Sequence, residues 1–397
     1  MTTSARDDLV GFIAGLPKAE LHVHHVGSAS PRIVAELARR HPGTVPSDVD
    51  ELRRFFEFRD FAHFIEVYLA VTALVSTPED IRLLTYEVAR EMATEQQIRY
   101  AELTCTPFTS VRPDLADGGM PIEAYTEAIE DARVGAERDF GIVLRWIYDI
   151  PGEFGVPAAD ATLGFALDHR VEALVGFGLG GPEIGVPRPQ FEPHFAAARS
   201  AGLRSVPHAG ETTGPETVWD ALRLLGAERI GHGTSSAQDP ALLAHLAETG
   251  VPLEVCPSSN VATRAVASLE EHPLRQFVAA GVTVTINSDD PPMFGTTLNQ
   301  EYAVAAGLLG LDASGVTDLA RAAVTASFAD GPTRARVLGE IDAHLTAAPG
   351  VPLVRSPVTH PLAWLLALAL AHVAVRVAIS PALKWDEAEQ MLWSQQL

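Results

Sequence analysis

Eight short runs of β-branched and aliphatic residues recur along this chain, each followed by a longer amphipathic stretch. They begin at Leu21 (LHVHH), Ile98 (IRYAELTC), Ile142 (IVLRWIYDI), Ala173 (ALVGFGL), Leu203 (LRSVPH), Arg229 (RIGH), Val251 (VPLEVC) and Thr283 (TVTINS). A strand reaches a parallel neighbour only through a long crossover, so strands that alternate with helical stretches build a parallel sheet. Eight such units predict a (β/α)8 TIM barrel. A chain of 397 residues suits one such barrel with insertions. Residues 1–345 read as the single barrel and 346–397 as a C-terminal extension. There is no internal repeat beyond the alternation and no low-complexity linker.

Two segments depart from the repeat. Between the first two strands lies an insertion, about Pro31 to Gln97, with the aromatic residues Phe55, Phe56, Phe58, Phe61, Phe64 and Tyr68. It predicts a helical lid over the barrel mouth, although such aromatics also serve as ordinary packing between helices. Near the C-terminus, Leu362 to Ile379 approaches membrane-span length but carries His372 and Arg376. It reads as a packing helix or a sequence accident rather than a membrane anchor.

Composition narrows the partners. The net charge of -22 opposes phosphate backbones, so nucleic acid is not expected as a partner. The same field slows an anionic substrate unless the site supplies local positive charge. Cys105 and Cys256 sit singly in strand-like runs and read as buried reduced thiols. Met1 to Asp8 contains no apolar signal segment, which predicts a cytoplasmic protein. The oligomeric state is left open.

The chemistry concentrates at strand ends. In His22-Val23-His24, residues i and i+2 of a strand face one way, so both imidazoles converge. An HxH pair alone is weak evidence. The fifth strand, however, ends in His208-Ala209-Gly210-Glu211, the sixth in Gly231-His232-Gly233 and the eighth in Asn287-Ser288-Asp289-Asp290. The C-terminal face of a barrel carries its active site, and four such strand ends in one chain are not ordinary. A catalytic zinc takes three or four protein ligands and keeps one position for water. His22, His24, His208 and Asp289 can supply the ligands. Glu211 then serves as proton donor and carrier. His232 holds or deprotonates the attacking water, and Asp290 reaches the substrate. His25 points the other way from its neighbours and reads as structural.

Other chemistries lack their parts. A binuclear barrel hydrolase bridges its metals with a lysine on the fourth strand, but none occurs between Lys18 and Lys384. One Zn2+ per chain is therefore expected. Gly176 to Gly181 matches G-x-G-x-x-G formally, yet Pro182, Pro187 and Pro189 oppose the helix that would receive a pyrophosphate. There is no P-loop and no G-x-S-x-G.

Taken together, PKAELHVH (Pro17 to His24), HAGE (His208 to Glu211), RIGHG (Arg229 to Gly233), LEVCPSSN (Leu253 to Asn260) and NSDDPPMFGT (Asn287 to Thr296) resemble the adenosine deaminase family of amidohydrolases. The resemblance spans roughly Leu16 to Ala343. It implies a barrel with one zinc held by His22, His24, His208 and Asp289. It further implies Glu211 as the acid at purine N1, His232 beside the hydrolytic water, Asp290 at N7 and the Gly181 N–H at N3. Two positions depart. Val26 stands where adenosine deaminases carry an aspartate for the ribose 5′-hydroxyl and adenine deaminases a glutamate. Gly178 stands where relatives often carry an aspartate. The segment HVHHVGSAS resembles the branch that deaminates aminodeoxyfutalosine on the futalosine route to menaquinone. That substrate carries a carboxyphenyl-ketone chain in place of the 5′-hydroxyl, which suits an apolar Val26. Arg59 and Arg112 are candidates to meet its carboxylate. A deaminase of adenosine or of another 5′-modified adenosine is the alternative. A non-catalytic nucleoside binder and a metal-dependent esterase fit less well.

Overall fold

The structure is a computed structural model that describes residues 3–59, 61–112, 114 and 119–347. The apolar stretch from Leu362 to Ile379 and most of the 346–397 extension lie outside the described residues. Eight strands run in chain order around a barrel: β1 (Lys18–His24), β2 (Ile98–Cys105), β3 (Val143–Pro151), β4 (Leu174–Gly180), β5 (Arg204–Ala209), β6 (Ile230–His232), β7 (Leu253–Val255) and β8 (Val284–Ile286). Each pairs in parallel with the next. The (β/α)8 expectation holds.

Most strands begin within a residue or two of the expected starts. β1 begins earlier, at Lys18, because that side chain is fully buried and donates to the carbonyls of Ile13 (2.8 Å) and Leu16 (2.5 Å). The barrel closes beyond the end of β8. The His24 N–H donates to the Asp289 carbonyl (3.0 Å) and the Asp289 N–H to the His22 carbonyl (3.1 Å). Asn287 Oδ1 accepts from the amides of Leu21 (2.9 Å) and His22 (3.2 Å). A side-chain amide thus replaces the ladder where β1 meets β8.

The insertion after β1 forms four helices: α1 (Pro31–Arg40), α2 (Val49–Phe55), α3 (Phe61–Thr72) and α4 (Pro78–Glu95). Their starts follow capping chemistry. Ser30 accepts from the Ile33 amide ahead of Pro31, and Thr77 forms a reciprocal capping box with Asp80 ahead of Pro78. Among the described residues no helix is long and apolar enough to cross a membrane.

The barrel interior holds charge as well as hydrocarbon. Arg229, at the entrance to β6, is 1% exposed. It is ion-paired to Glu102 of β2 and, at 2.5 Å, to Glu254 of β7, while its guanidinium lies 3.8 Å from the Phe328 ring centroid. Both carboxylates are fully buried. Removing one member of such a set leaves uncompensated buried charge, which costs far more than a surface pair. Arg229→Met is expected to lower the unfolding free energy by about 3–5 kcal/mol in denaturant titration. A loss below about 1 kcal/mol would mean that the two carboxylates find other partners.

Candidate active site

The C-terminal ends of β1, β5, β6 and β8 meet over the barrel axis. His22 Nδ1 lies 2.8 Å from Glu254 Oε2. Although burial opposes it, the Arg229 guanidinium holds the Glu254 carboxyl below its ordinary value, so Glu254 is a carboxylate that accepts this hydrogen bond. The proton of His22 is thereby fixed on Nδ1 and its Nε2 lone pair faces the other ends. That Nε2 is buried with no hydrogen-bond partner. His24 Nε2 lies 3.3 Å from His208 Nε2 and 3.2 Å from Asp289 Oδ1. The second Asp289 oxygen accepts from Ser259 at 2.5 Å, leaving Oδ1 to the cluster.

One ligand atom from each of His22, His24, His208 and Asp289 lies within 4.8 Å of all the others. Three imidazoles and one carboxylate form a donor set of the zinc type. An orphaned buried nitrogen at their centre fits a cation there. A second set replaces His24 and His208 by His232 and Cys256. Burial pushes the Cys256 thiol well above its ordinary value, so it stays protonated and is a poor ligand.

A pocket opens over this cluster. Five acids line it, Asp149, Glu153, Glu211, Asp289 and Asp290, with no lysine or arginine among the described lining residues. Such crowding calls for a compensating cation or for protonation, and both signs are present. Burial, then Asp289 and Glu183, push Glu211 up to about 8. Burial and Asp289 also raise Asp290, whose Oδ1 has no hydrogen-bond partner. Burial brings His232 down to about 4, against the pull of Asp289. It is a neutral imidazole with Nε2 3.7 Å from Glu211 Oε2 and 3.9 Å from Asp289 Oδ2. His232 and Asp289 both carry left-handed backbone, at φ 61° and 66°. Such conformations are costly for side chains of this kind and collect at functional sites.

The loop bearing Glu211 is tied from beneath. The buried Glu183 carboxylate accepts from the consecutive amides of Gly210 (2.7 Å), Glu211 (2.8 Å), Thr212 (2.6 Å) and Thr213 (3.2 Å). Glu211 Oε1 in turn lies 3.1 Å from Thr263 Oγ1. Gly181 lines the pocket at φ 76°, and a Cβ there would sit 2.3 Å from Glu153 Oε2. A side chain at that position would be strained by the left-handed backbone.

Helix α3 supplies the opposite wall. Phe61, Phe64, Ile65, Tyr68 and Leu69 line the pocket from one helical face, while Phe55 and Phe56 pack elsewhere. Val26 does not line this pocket. It faces a smaller adjoining cavity together with His25, Thr104 and Ser110, and shares only Tyr68, Thr106 and Thr109 with the main one. Arg59 is exposed, and Arg112 is bidentate to Asp114 at 3.0 and 2.9 Å. Neither arginine lines the pocket. Gly178 pairs with Asp149 of β3, and a Cβ there would lie 3.1 Å from Asp149 Cβ and 3.2 Å from the Val206 carbonyl. The carboxylate absent from position 178 is thus present one strand away, at Asp149. The sequence reading missed Asp149, Glu183, Glu254 and Ser259. The available signal was charge inside apolar strand runs, as in VPLEVC, because buried charge must be paired.

Residues 17–344 match the family model described as adenosine deaminase. The chain belongs to the adenosine deaminase family. Within it, aminodeoxyfutalosine deaminases of Streptomyces avermitilis and Streptomyces coelicolor are each 66% identical over 343 residues, covering 86% of this chain and 94% and 87% of theirs. An adenine deaminase of Sphingopyxis alaskensis is 36% identical, over 86% of this chain and 98% of its own. Among solved structures, an adenine deaminase from Arthrobacter aurescens is similar at TM-score 0.77 and 32% identity, over 84% of this chain and all of its own. An amidohydrolase from Burkholderia ambifaria with bound Zn is similar at TM-score 0.78 and 25% identity, over 88% and 95%. Members of this family are metal-dependent, and the His/Asp cluster fits that chemistry.

Glu254→Gln keeps the volume but weakens the partner of His22. Loss of an outer-shell carboxylate lowers metal affinity roughly 10–100-fold. That loss is expected in competition with a chelator, and unchanged affinity would show that His22 needs no such partner.

Proposed function

We propose that this chain is a hydrolase that replaces the 6-amino group of an adenine nucleoside by oxygen, releasing ammonia, and that its substrate is aminodeoxyfutalosine. The observation that carries the reaction is the convergence of a zinc-type donor set with a protonatable Glu211, a neutral His232 and Asp290 in one pocket. One zinc per chain is supported by the four donors and by the absence of any lysine between Lys18 and Lys384. Held by His22, His24, His208 and Asp289, it would lower the pKa of a water toward about 7.

The remaining work falls to side chains. A purine seated with C6 over the cluster turns N1 toward Glu211. At neutral pH that buried carboxyl holds a proton, and giving it to N1 draws electrons from C6 and makes that carbon electrophilic. His232 hydrogen-bonds the water oxygen that adds there. Purine N7 is an acceptor, so Asp290 must meet it protonated, in keeping with its raised proton affinity. Gly181 lines the pocket, and its N–H would donate to N3. The proton lost by the water passes to the Glu211 carboxylate and from there to the 6-amino nitrogen. The C6–N bond then breaks with loss of ammonia, and the C6 hydroxyl returns its proton to Glu211 to leave a 6-oxo purine.

The substrate rests on the 66% identity to the two Streptomyces enzymes and on the apolar face of α3. The motif position held by Val26 carries no carboxylate to accept from a 5′-hydroxyl, and the side chain itself lies in the adjoining cavity. The carboxylate of the carboxyphenyl tail extends beyond the pocket, because five acids and, among the described residues, no lysine or arginine line it.

Glu211→Gln is expected to keep its metal and lose roughly 10²–10⁴-fold in kcat, since an amide has no proton to give N1. A variant within a few-fold of wild type would move the proton source elsewhere. With aminodeoxyfutalosine, adenosine and methylthioadenosine compared by kcat/KM, aminodeoxyfutalosine is expected to lead adenosine by at least about 10-fold, the worth of one hydrogen bond of ~1.4 kcal/mol. Equal or better turnover of adenosine would remove the substrate assignment and leave the deaminase reaction standing.

A further inference from the structure

The imidazole of His232 can carry its proton on either ring nitrogen, and the choice decides whether it meets an incoming oxygen as donor or as acceptor. A chain of buried hydrogen bonds that starts at a backbone amide makes the choice. The Leu274 N–H lies 3.1 Å from His272 Nδ1. A backbone amide can only donate, so His272 Nδ1 carries a lone pair. Burial holds His272 neutral, near 4, and its single ring proton is therefore on Nε2.

His272 Nε2 lies 3.2 Å from Asn260 Oδ1 and donates to it. An Asn amide has one oxygen and one NH2, so an oxygen committed to His272 turns the NH2 to the other side. There Asn260 Nδ2 lies 3.1 Å from His232 Nδ1. The NH2 group only donates, so His232 Nδ1 is a lone pair as well. With the lone pair on Nδ1, the ring's proton sits on Nε2, the nitrogen that faces Glu211 and Asp289. Asn260 is fully buried, His232 is 1% exposed and His272 is 5% exposed, so bulk water does not compete for these bonds. The orientation of the Asn260 amide is fixed by the logic of the chain, from a donor whose role is unambiguous.

We propose that Asn260 and His272 are positioning residues that lock His232 in the Nε2–H tautomer, so that His232 meets the attacking oxygen as a hydrogen-bond donor. The tautomer stands on the hydrogen bonds alone. Only its consequence for the substrate rests on the deaminase reading. It also narrows the role of His232, which holds the water rather than taking its proton.

The test uses zinc-loaded enzyme labelled with 15N-histidine, with the His232 signals assigned by their loss in His232→Gln. The spectrum is expected to show an unprotonated Nδ1 and a protonated Nε2, unchanged from about pH 6 to 9. In Asn260→Asp a carboxylate accepts from both sides, which should move the His232 proton to Nδ1. That variant is expected to lose kcat roughly 10–100-fold with unchanged zinc content and KM within about 3-fold. Should it not fold, His272→Ala frees the Asn260 amide to turn, and His232 should then lose its single-tautomer pattern along with kcat. A wild-type His232 protonated on Nδ1 or on both nitrogens overturns the proposal. So does a folded variant that keeps both wild-type kcat and the wild-type pattern. Wild-type enzyme with the expected tautomer but no deaminase activity supports the lock and overturns the reading of the previous subsection.

Discussion

The contact on which the site depends is the one between Glu254 and His22. Glu254 shares its two oxygens between the Arg229 guanidinium and the His22 ring. Arg229 is held in turn by Glu102 from the far side of the barrel. A line of alternating charge therefore crosses the interior from β2 to β1. All of these side chains are buried, so each is tolerated because its neighbours compensate it. The guanidinium keeps Glu254 ionised, and ionised Glu254 dictates which nitrogen of His22 looks into the cluster. Stability and ligand geometry are set by the same three side chains.

Above that line, the strand ends bend sharply. Left-handed backbone at His232 and Asp289 turns the chain away from strand geometry where β6 and β8 hand over to loops. The strain persists because the surroundings over-determine it. Asp289 is bridged to β1 by two backbone hydrogen bonds and held by Ser259, while His232 is held by Asn260. A neighbouring loop is tied by a different device, the Glu183 carboxylate beneath four successive amides. Asp289 and Glu183 thus stand close to Glu211 because each is held by its own hydrogen-bond donors, while Glu211 and Asp290 are raised toward the protonated form.

Much of this was legible in the sequence. The eight strands follow from hydrophobic runs, and the strand-end histidines and acids follow from the period of two in HVH and from the motifs after β5, β6 and β8. The partners of those residues were less legible. His22 and Glu254 are 232 positions apart, and nothing local announces that they touch. Glu102 and Glu254 gave one clue, as acids inside apolar runs. Val26 shows the opposite limit. Its place in the motif suggested a wall of the pocket, but the chain turns after β1 and sends it to the adjoining cavity. The Asp149–Gly178 pair was hidden because a carboxylate can be supplied from either of two adjacent strands, and sequence position does not reveal that they meet.

Helix α3 belongs to the insertion between β1 and β2, whereas the donor set, Glu211, His232 and Asp290 belong to the barrel proper. One pocket is thus built from two stretches of chain with different obligations. The barrel residues are bound to one another by charge and strain and tolerate little change. The five side chains of α3 that face the pocket meet it through hydrocarbon and aromatic surface alone, apart from the Tyr68 hydroxyl. The apolar wall of the pocket and its ionisable floor therefore come from separate stretches of the chain, and they meet where the Tyr68 ring lies edge-on to His24.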